Sequence, residues 1–255
     1  HSFLFISLIN YFYSMSKVAI VGYGNGGFHM ANRISSKRHE VTIFSRTQSE
    51  DFILSLDQLD PDGFDLIILT VPDDLIKEIS DSIPQSDAIM LHTSGANAIS
   101  DLAKHPRHGV VYPLQTFSRT KEIDFDSIPV FVEGSEEGEK DIFTFVRTFS
   151  NDVRLLTSTN RSKLHLAAVF ACNFSNHMFH LSEQFLGDLG MKFQDILPLV
   201  EETYRKAIEL NPSQSQTGPA IRKDEETIQR HLDMIKDEKL KHLYSMITES
   251  IQERS

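Results

Sequence analysis

One cysteine in 255 residues, Cys172, leaves no partner for an intrachain disulfide or a cysteine-built zinc site. That suits a reducing compartment, and the thiol is expected to serve as a small buried apolar group. Basic charge is also scarce. There are 25 Lys and Arg against 36 Asp and Glu, a formal net charge of -11. No basic stripe interleaved with aromatics is visible, so nucleic acid is not an expected partner, and the acidic balance favours a solvated cytoplasmic surface. No apolar run reaches the roughly 20 residues of a membrane span, so no membrane partner is expected. The apolar opening "HSFLFISLINYFYS", residues 1–14, also lacks a basic start and a small-x-small cleavage site. It is read as an upstream or non-native extension ahead of Met15. The 11 histidines are scattered, and no metal site is expected. Internal repeats and low-complexity linkers are absent.

What is present alternates strand with helix. "KVAIVG" reads as a buried strand, followed by a helix with Phe28, Ala31 and Ile34 on one face. "EVTIFSR" and the wholly apolar "FDLIILTVP" are further strands, the latter suited to the centre of a parallel sheet. "DDLIKEIS" starts a helix with acids in its first turn. "DAIMLHTSG", "HGVVYPLQTF" and "IPVFVEG" complete the strand candidates. The fold class is therefore α/β, a doubly wound parallel (Rossmann) sheet over residues 15–152. Residues 153–255 are expected to form an all-helical second domain. From Ser162 a long helix runs to a glycine, a second contains Pro198 and is expected to kink or break there, and two more begin at "DEETI" and "DEKL".

Gly22, Gly24 and Gly27 form G-x-G-x-x-G between the first strand and the first helix, the context that gives the pattern meaning. Gly22 permits the turn, Gly24 lets the backbone approach a pyrophosphate, and Gly27 lets the helix pack on the sheet. Asn25 and Gly26 complete the loop, and the phosphates would sit on the helix N-terminus. The second strand ends in Ser45, Arg46 and Thr47, with no acid for a ribose 2′-hydroxyl. Two hydroxyls and a guanidinium suit a 2′-phosphate, which favours NADP over NAD, although Arg46 also reads as a solvated charge. Val71 and Pro72, ending the third strand, should lie near the nicotinamide ribose.

On these residues the N-terminal half resembles the NADP-binding domain of pyrroline-5-carboxylate reductase, ketopantoate reductase, prephenate dehydrogenase and the β-hydroxyacid dehydrogenases. Three segments, "LHTSGANAISDL", "GVVYPLQTFS" and "TGPAIRKDEETIQRHL", resemble in order and spacing a group of Rossmann-like proteins with a helical C-terminal domain of unknown function. The resemblance spans roughly residues 16 to 250. It implies a Rossmann domain followed by a helical domain of the 6-phosphogluconate dehydrogenase C-terminal kind, dimerising through its helices. Relatives often carry His before "PLQTF"; this chain has Tyr112, so a role built on that histidine does not carry over.

Strand ends of a parallel sheet gather ligands. Ser94 and Gly95 stand where β-hydroxyacid dehydrogenases place a substrate loop, so the resemblance makes Ser94 a substrate hydrogen-bonder; the same residues also read as an ordinary turn. His92 is either a general acid or a structural hydrogen-bonder. Gln115 ends another strand. By the same resemblance Lys163 would be the catalytic lysine of that family's first long helix, able to protonate or deprotonate a substrate oxygen if burial lowers its pKa, with Asn173 or Asn176 as the accompanying asparagine. Lys163 and Asn173, though, are separated by about 15 Å of helical rise, too far to share one small carbonyl. Arg222, after a Gly-Pro turn, either clamps a substrate anion or pairs with Asp224 or a partner subunit. The leading expectation is an NADP-dependent oxidoreductase moving hydride between nicotinamide and a small carbonyl, imine or alcohol held between the domains. The alternative is a non-catalytic NADP-binding sensor or assembly protein.

Overall fold

A computed structural model describes residues 15–46 and 53–254. The extension 1–14 and Thr47 lie outside the described residues. The chain forms two compact units, one ending at Ser175 and one starting at Asn176.

The first unit is built on an eight-stranded sheet. Its strands are β1 (Lys17–Val21), β2 (Glu40–Phe44), β3 (Ile53–Leu54), β4 (Leu66–Leu69), β5 (Ile89–His92), β6 (His108–Pro113), β7 (Val130–Gly134) and β8 (Val153–Leu155). They lie in the order β3-β2-β1-β4-β5-β6-β7-β8, so the order reverses between β1 and β4. All pairings are parallel except β6 with β7. The chain returns from Pro113 to Val130 with no crossover helix, and antiparallel neighbours need none. The two strands unforeseen in the sequence are β3 and β8. β3 has two residues, and β8 exposes Arg154 and Leu155, so neither carries a hydrophobic period.

Alternate residues of the central strands feed two cores. Val18, Ile20, Leu66, Ile68 and Leu91 face one side, where Met30, Ala31 and Ile34 of α1 (Asn25–Ser36) cover them. Ile142, Phe145 and Val146 of α3 (Glu139–Val146) join the same cluster. Ala19, Val21, Ile67, Leu69 and Met90 face the other side, packed by Ile76 and Ile79 of α2 (Ile76–Ser82). Burial on both faces is why these strands read as continuous apolar runs rather than alternating ones.

Helix α4 (Ser158–Ala168) starts at Ser158 rather than Ser162 and continues into a π-helical stretch, Val169–Phe174. Both β8 and α4 belong to the first unit. Beyond them come α5 (Ser175–Gly187), α6 (Phe193–Leu210), α7 (Glu225–Met234) and α8 (Glu238–Glu253). Helix α6 runs through Pro198 without a break. The proline stands in the second turn, so only the bond to the Gln194 carbonyl is forfeited. The acidic starts of α7 and α8 are true caps: Asp224 accepts from the Thr227 amide, and Asp237 from those of Lys239 and Leu240.

Candidate active site

The site begins where β1 turns into α1. Gly22 has φ +98°, a left-handed conformation that a side chain would strain, and an added Cβ would lie 2.8 Å from the Thr70 carbonyl oxygen. At Gly27 a Cβ would fall 2.4 Å from the Gly22 oxygen and 2.5 Å from Thr70 Oγ1. Helix, turn and the end of β4 therefore touch backbone to backbone, with Thr70 Oγ1 donating to the Gly22 oxygen at 2.7 Å. Gly24 and Gly26 differ, because nothing lies within 4 Å of a Cβ on either. The N-terminus of α1 has no side-chain cap and no acid in its first turn. Unpaired amides and open space at the point where strand order reverses fit the pyrophosphate of a dinucleotide. Asn25 turns aside: its Nδ2 donates to the Phe117 oxygen at 3.1 Å. Val71 and Pro72 lead out of β4 beside this turn, and Arg46 is exposed where β2 ends.

The loop after β5 is held from behind. His92 is fully buried. Its Nδ1 accepts from the Ser94 amide at 3.1 Å, which leaves the Nε2 proton for the Ala98 oxygen at 3.4 Å. Burial first, and then the Arg161 charge, push this imidazole down to about 4. His92 is thus a neutral structural group behind the loop and does not line the cavity described below. A depressed folded-state value means that the unfolded chain binds the proton first. His92 therefore contributes stability that is complete above pH 6.5 and is lost as pH falls towards about 4. The loss should reach about 3 kcal/mol. Urea unfolding of wild type and His92→Asn across this range should show the variant's curve flatter; parallel curves would refute the assignment.

Ser94 has a similarly inward hydroxyl. Its Oγ accepts from the amides of Ala96 and Asn97, both at 3.0 Å, and donates to Asn97 Oδ1 at 3.2 Å. The residue lines the site, but its polar atom is committed to the turn. Arg161, 1% exposed, reaches from α4 under the same loop. Its Nε donates to the Ser94 oxygen at 3.2 Å, and its Nη atoms donate to the Asn97 oxygen and to Glu133 on β7. Glu133 in turn accepts from the Ser158 amide at 2.8 Å and its hydroxyl at 2.6 Å, fixing the start of α4. One buried ion pair ties loop, sheet and helix together.

These elements line an open cavity of about 800 Å³. It runs from Gly26 and Asp73, past Ser94 and Gly95 and the β6 end from Tyr112 to Phe117, to the α4 face and π-helical stretch from Leu164 to Asn173. Gln115 and Asn173 line it as the sequence suggested. Lys163 is exposed and is not part of its wall, whereas its neighbours Leu164 and His165 are. Cys172, foreseen as buried, is exposed on the cavity side, since the π-helical stretch has no buried residue. Asn176 and Arg222 belong to the second unit, both exposed; Arg222 adds its charge to the Thr227 hydrogen bonds that hold Asp224 below the usual carboxylate range. Two wall residues went unassigned in the sequence. The Tyr112 hydroxyl and His165 Nδ1 are 3.1 Å apart in a hydrogen bond, and the rings meet edge to face. Among the described residues no three His, Cys, Asp or Glu gather as metal ligands, and no helix is long and apolar enough to cross a membrane.

A protein-family model described as a domain of unknown function (DUF2520) matches residues 128–251. BF3122 from Bacteroides fragilis, a candidate NADP oxidoreductase, is 35% identical over 94% of this chain and 98% of its own, with a TM-score of 0.84. The chain belongs to the same family as BF3122. Protein TM1727 from Thermotoga maritima is 21% identical, covering 93% of this chain and 98% of its own, with a TM-score of 0.73. A reductive aminase from Aspergillus terreus, solved with NADPH and ethyl levulinate, shares the fold. It is 15% identical over 86% of this chain and 78% of its own, with a TM-score of 0.60. No curated protein sequence matches. The DUF2520 segment thus begins in the first unit, taking in β7, β8 and α4, and continues through the helices of the second.

Proposed function

We propose that this DUF2520 protein is an NADP-dependent oxidoreductase that moves hydride between the nicotinamide and a small carbonyl, imine or alcohol. One observation carries the reading. The uncapped α1 N-terminus, open at Gly24 and Gly26, leads directly into a cavity walled by the β5 and β6 ends and α4. A dinucleotide laid on that turn would point its reactive end into the cavity. The family relationship to BF3122 supports the same cofactor.

In this reading Gly22 to Gly27 hold the pyrophosphate, Ser45, Arg46 and Thr47 the 2′-phosphate, and Val71 and Pro72 flank the nicotinamide ribose. The bound cofactor supplies the hydride, and the protein orients the substrate carbon towards it. Gln115 and Asn173 offer polar contacts to that substrate, and Ser94 shapes its loop. The acidic surface and single cysteine suit the cytoplasm. A second copy is the natural cover for α6, which buries no residue in the single chain while exposing Leu199 (67%), Tyr204 (69%) and Ile208 (64%). The rival reading, an NADP-binding sensor without turnover, draws on the commitment of the Ser94 hydroxyl to its own turn.

Nicotinamide fluorescence decides the cofactor. NADPH should bind at least about tenfold tighter than NADH, roughly 1.4 kcal/mol, with Arg46→Ala abolishing the preference. Equal affinities would overturn the role of Arg46. Binding of neither would overturn the oxidoreductase.

A further inference from the structure

We propose that Tyr112 is the proton donor of this site and that His165 is its positioning and proton-supplying partner. The inference rests on the hydride-transfer reading above and adds the group that completes it, since hydride delivery to a C=O or C=N bond leaves a heteroatom in need of a proton.

Tyr112 is the penultimate residue of β6, at the carboxyl end of the strand where ligands gather, and it forms part of the cavity wall. His165 comes from α4, fifty-three residues further on, and is only partly buried, so solvent can renew its proton. The pair is seated against the loop after β5. A Cβ on Gly95 would fall 2.6 Å from His165 Nδ1 and 2.9 Å from Tyr112 Cζ, so only a glycine lets both rings press onto the loop backbone. The neighbouring charges are few. Arg161 from α4, Asp73 from the segment after β4 and Cys172 from the π-helical stretch act on the phenol, and burial dominates them, holding it protonated above its ordinary range. The other polar groups of the loop, His92, the Ser94 hydroxyl and the Asn97 amide, are engaged internally, and the Thr93 hydroxyl donates to the Leu69 oxygen at 3.5 Å. Lys163 is outside the wall.

The step balances. As the substrate carbon accepts the hydride, the C=X pair moves onto X, where X is oxygen or nitrogen. X then takes the Tyr112 phenolic proton: the tyrosine O–H bond breaks and X–H forms. The phenolate recovers a proton from Nδ1 of protonated His165, and water reprotonates the imidazole. The substrate is reduced by two electrons, the dihydronicotinamide is oxidised, and one proton is drawn from solvent. In the alcohol-oxidising direction each transfer reverses.

The test uses the full chain and three measurements. NADPH fluorescence titration should give wild type, Tyr112→Phe and His165→Asn affinities within about twofold, because neither residue belongs to the glycine turn. NADPH consumption should then be followed with cyclohexanone, with cyclohexanone plus allyl amine, and with ethyl levulinate. Tyr112→Phe should lower kcat by about 10²–10⁴-fold with KM little changed. His165→Asn should lower kcat in the same direction, with KM again little changed. NMR of 15N-histidine-labelled protein should show the His165 ring nitrogens altered by Tyr112→Phe. A His165 signal indifferent to Tyr112→Phe, or wild-type kcat in both variants, overturns the pair and leaves the oxidoreductase standing. Bound NADPH with no turnover of any carbonyl or imine defeats both readings.

Discussion

Replacing Arg161 with methionine is expected to lower the unfolding free energy by about 3–5 kcal/mol, the usual cost of removing one partner from a buried ion pair. The guanidinium is 1% exposed and Glu133 15%. Methionine fills similar volume and preserves helix propensity, so the loss is electrostatic rather than a cavity effect. It leaves the Glu133 carboxylate with Ser158 alone, and the Ser94 and Asn97 carbonyls without their donor. Because those carbonyls belong to the loop beneath Tyr112 and His165, turnover should fall as well as stability. Denaturant unfolding followed by circular dichroism reads the first effect. Adding Glu133→Gln to the methionine variant should recover part of the loss by removing the stranded charge. A loss under about 1 kcal/mol would mean that the pair is dispensable to the loop.

The second large effect separates two kinds of glycine in one turn. Gly27→Ala should destabilise the protein by about 1–3 kcal/mol, the range for overpacking, because its methyl meets a backbone oxygen at 2.4 Å that cannot move aside. Gly26→Ala should leave the free protein unchanged or up to about 1 kcal/mol more stable. Its methyl meets nothing within 4 Å, and alanine is the better helix former. Yet Gly26→Ala should weaken NADPH binding at least about tenfold by occupying the space the phosphates need. Thermal melts with and without NADPH distinguish the two. A Gly26→Ala variant that binds NADPH like wild type would remove the pyrophosphate from this turn.

The glycine turn was legible because its requirements are local. Strand, tight turn and helix start follow one another within a dozen residues, so Gly22, Gly24 and Gly27 announce themselves by spacing and context. The doubly wound core was legible for a similar reason, as strands covered on both faces must be apolar at every position. Ser94 stands just past the end of β5, but its hydroxyl direction depends on the Ala96 and Asn97 amides folding back over it. Lys163 stands out in the sequence by resemblance alone. It is exposed, while the cavity takes its neighbours Leu164 and His165, an outcome set by how α4 is rotated on its bed.

By itself, then, the sequence determined the doubly wound sheet, the helices beyond residue 175 and the glycine turn, all consequences of hydrophobic period and backbone conformation over short spans. Only the tertiary structure decided which polar groups line the cavity and which are committed elsewhere. An arginine in a helix reads as a surface charge until β7 brings Glu133 to it, and His92 reads as a candidate acid until burial makes it neutral. Tyr112 and His165, on a strand and a helix fifty-three residues apart, meet only because Gly95 leaves room for both rings. A side chain's charge, proton and direction are set by neighbours distant in the chain, and no local pattern encodes them.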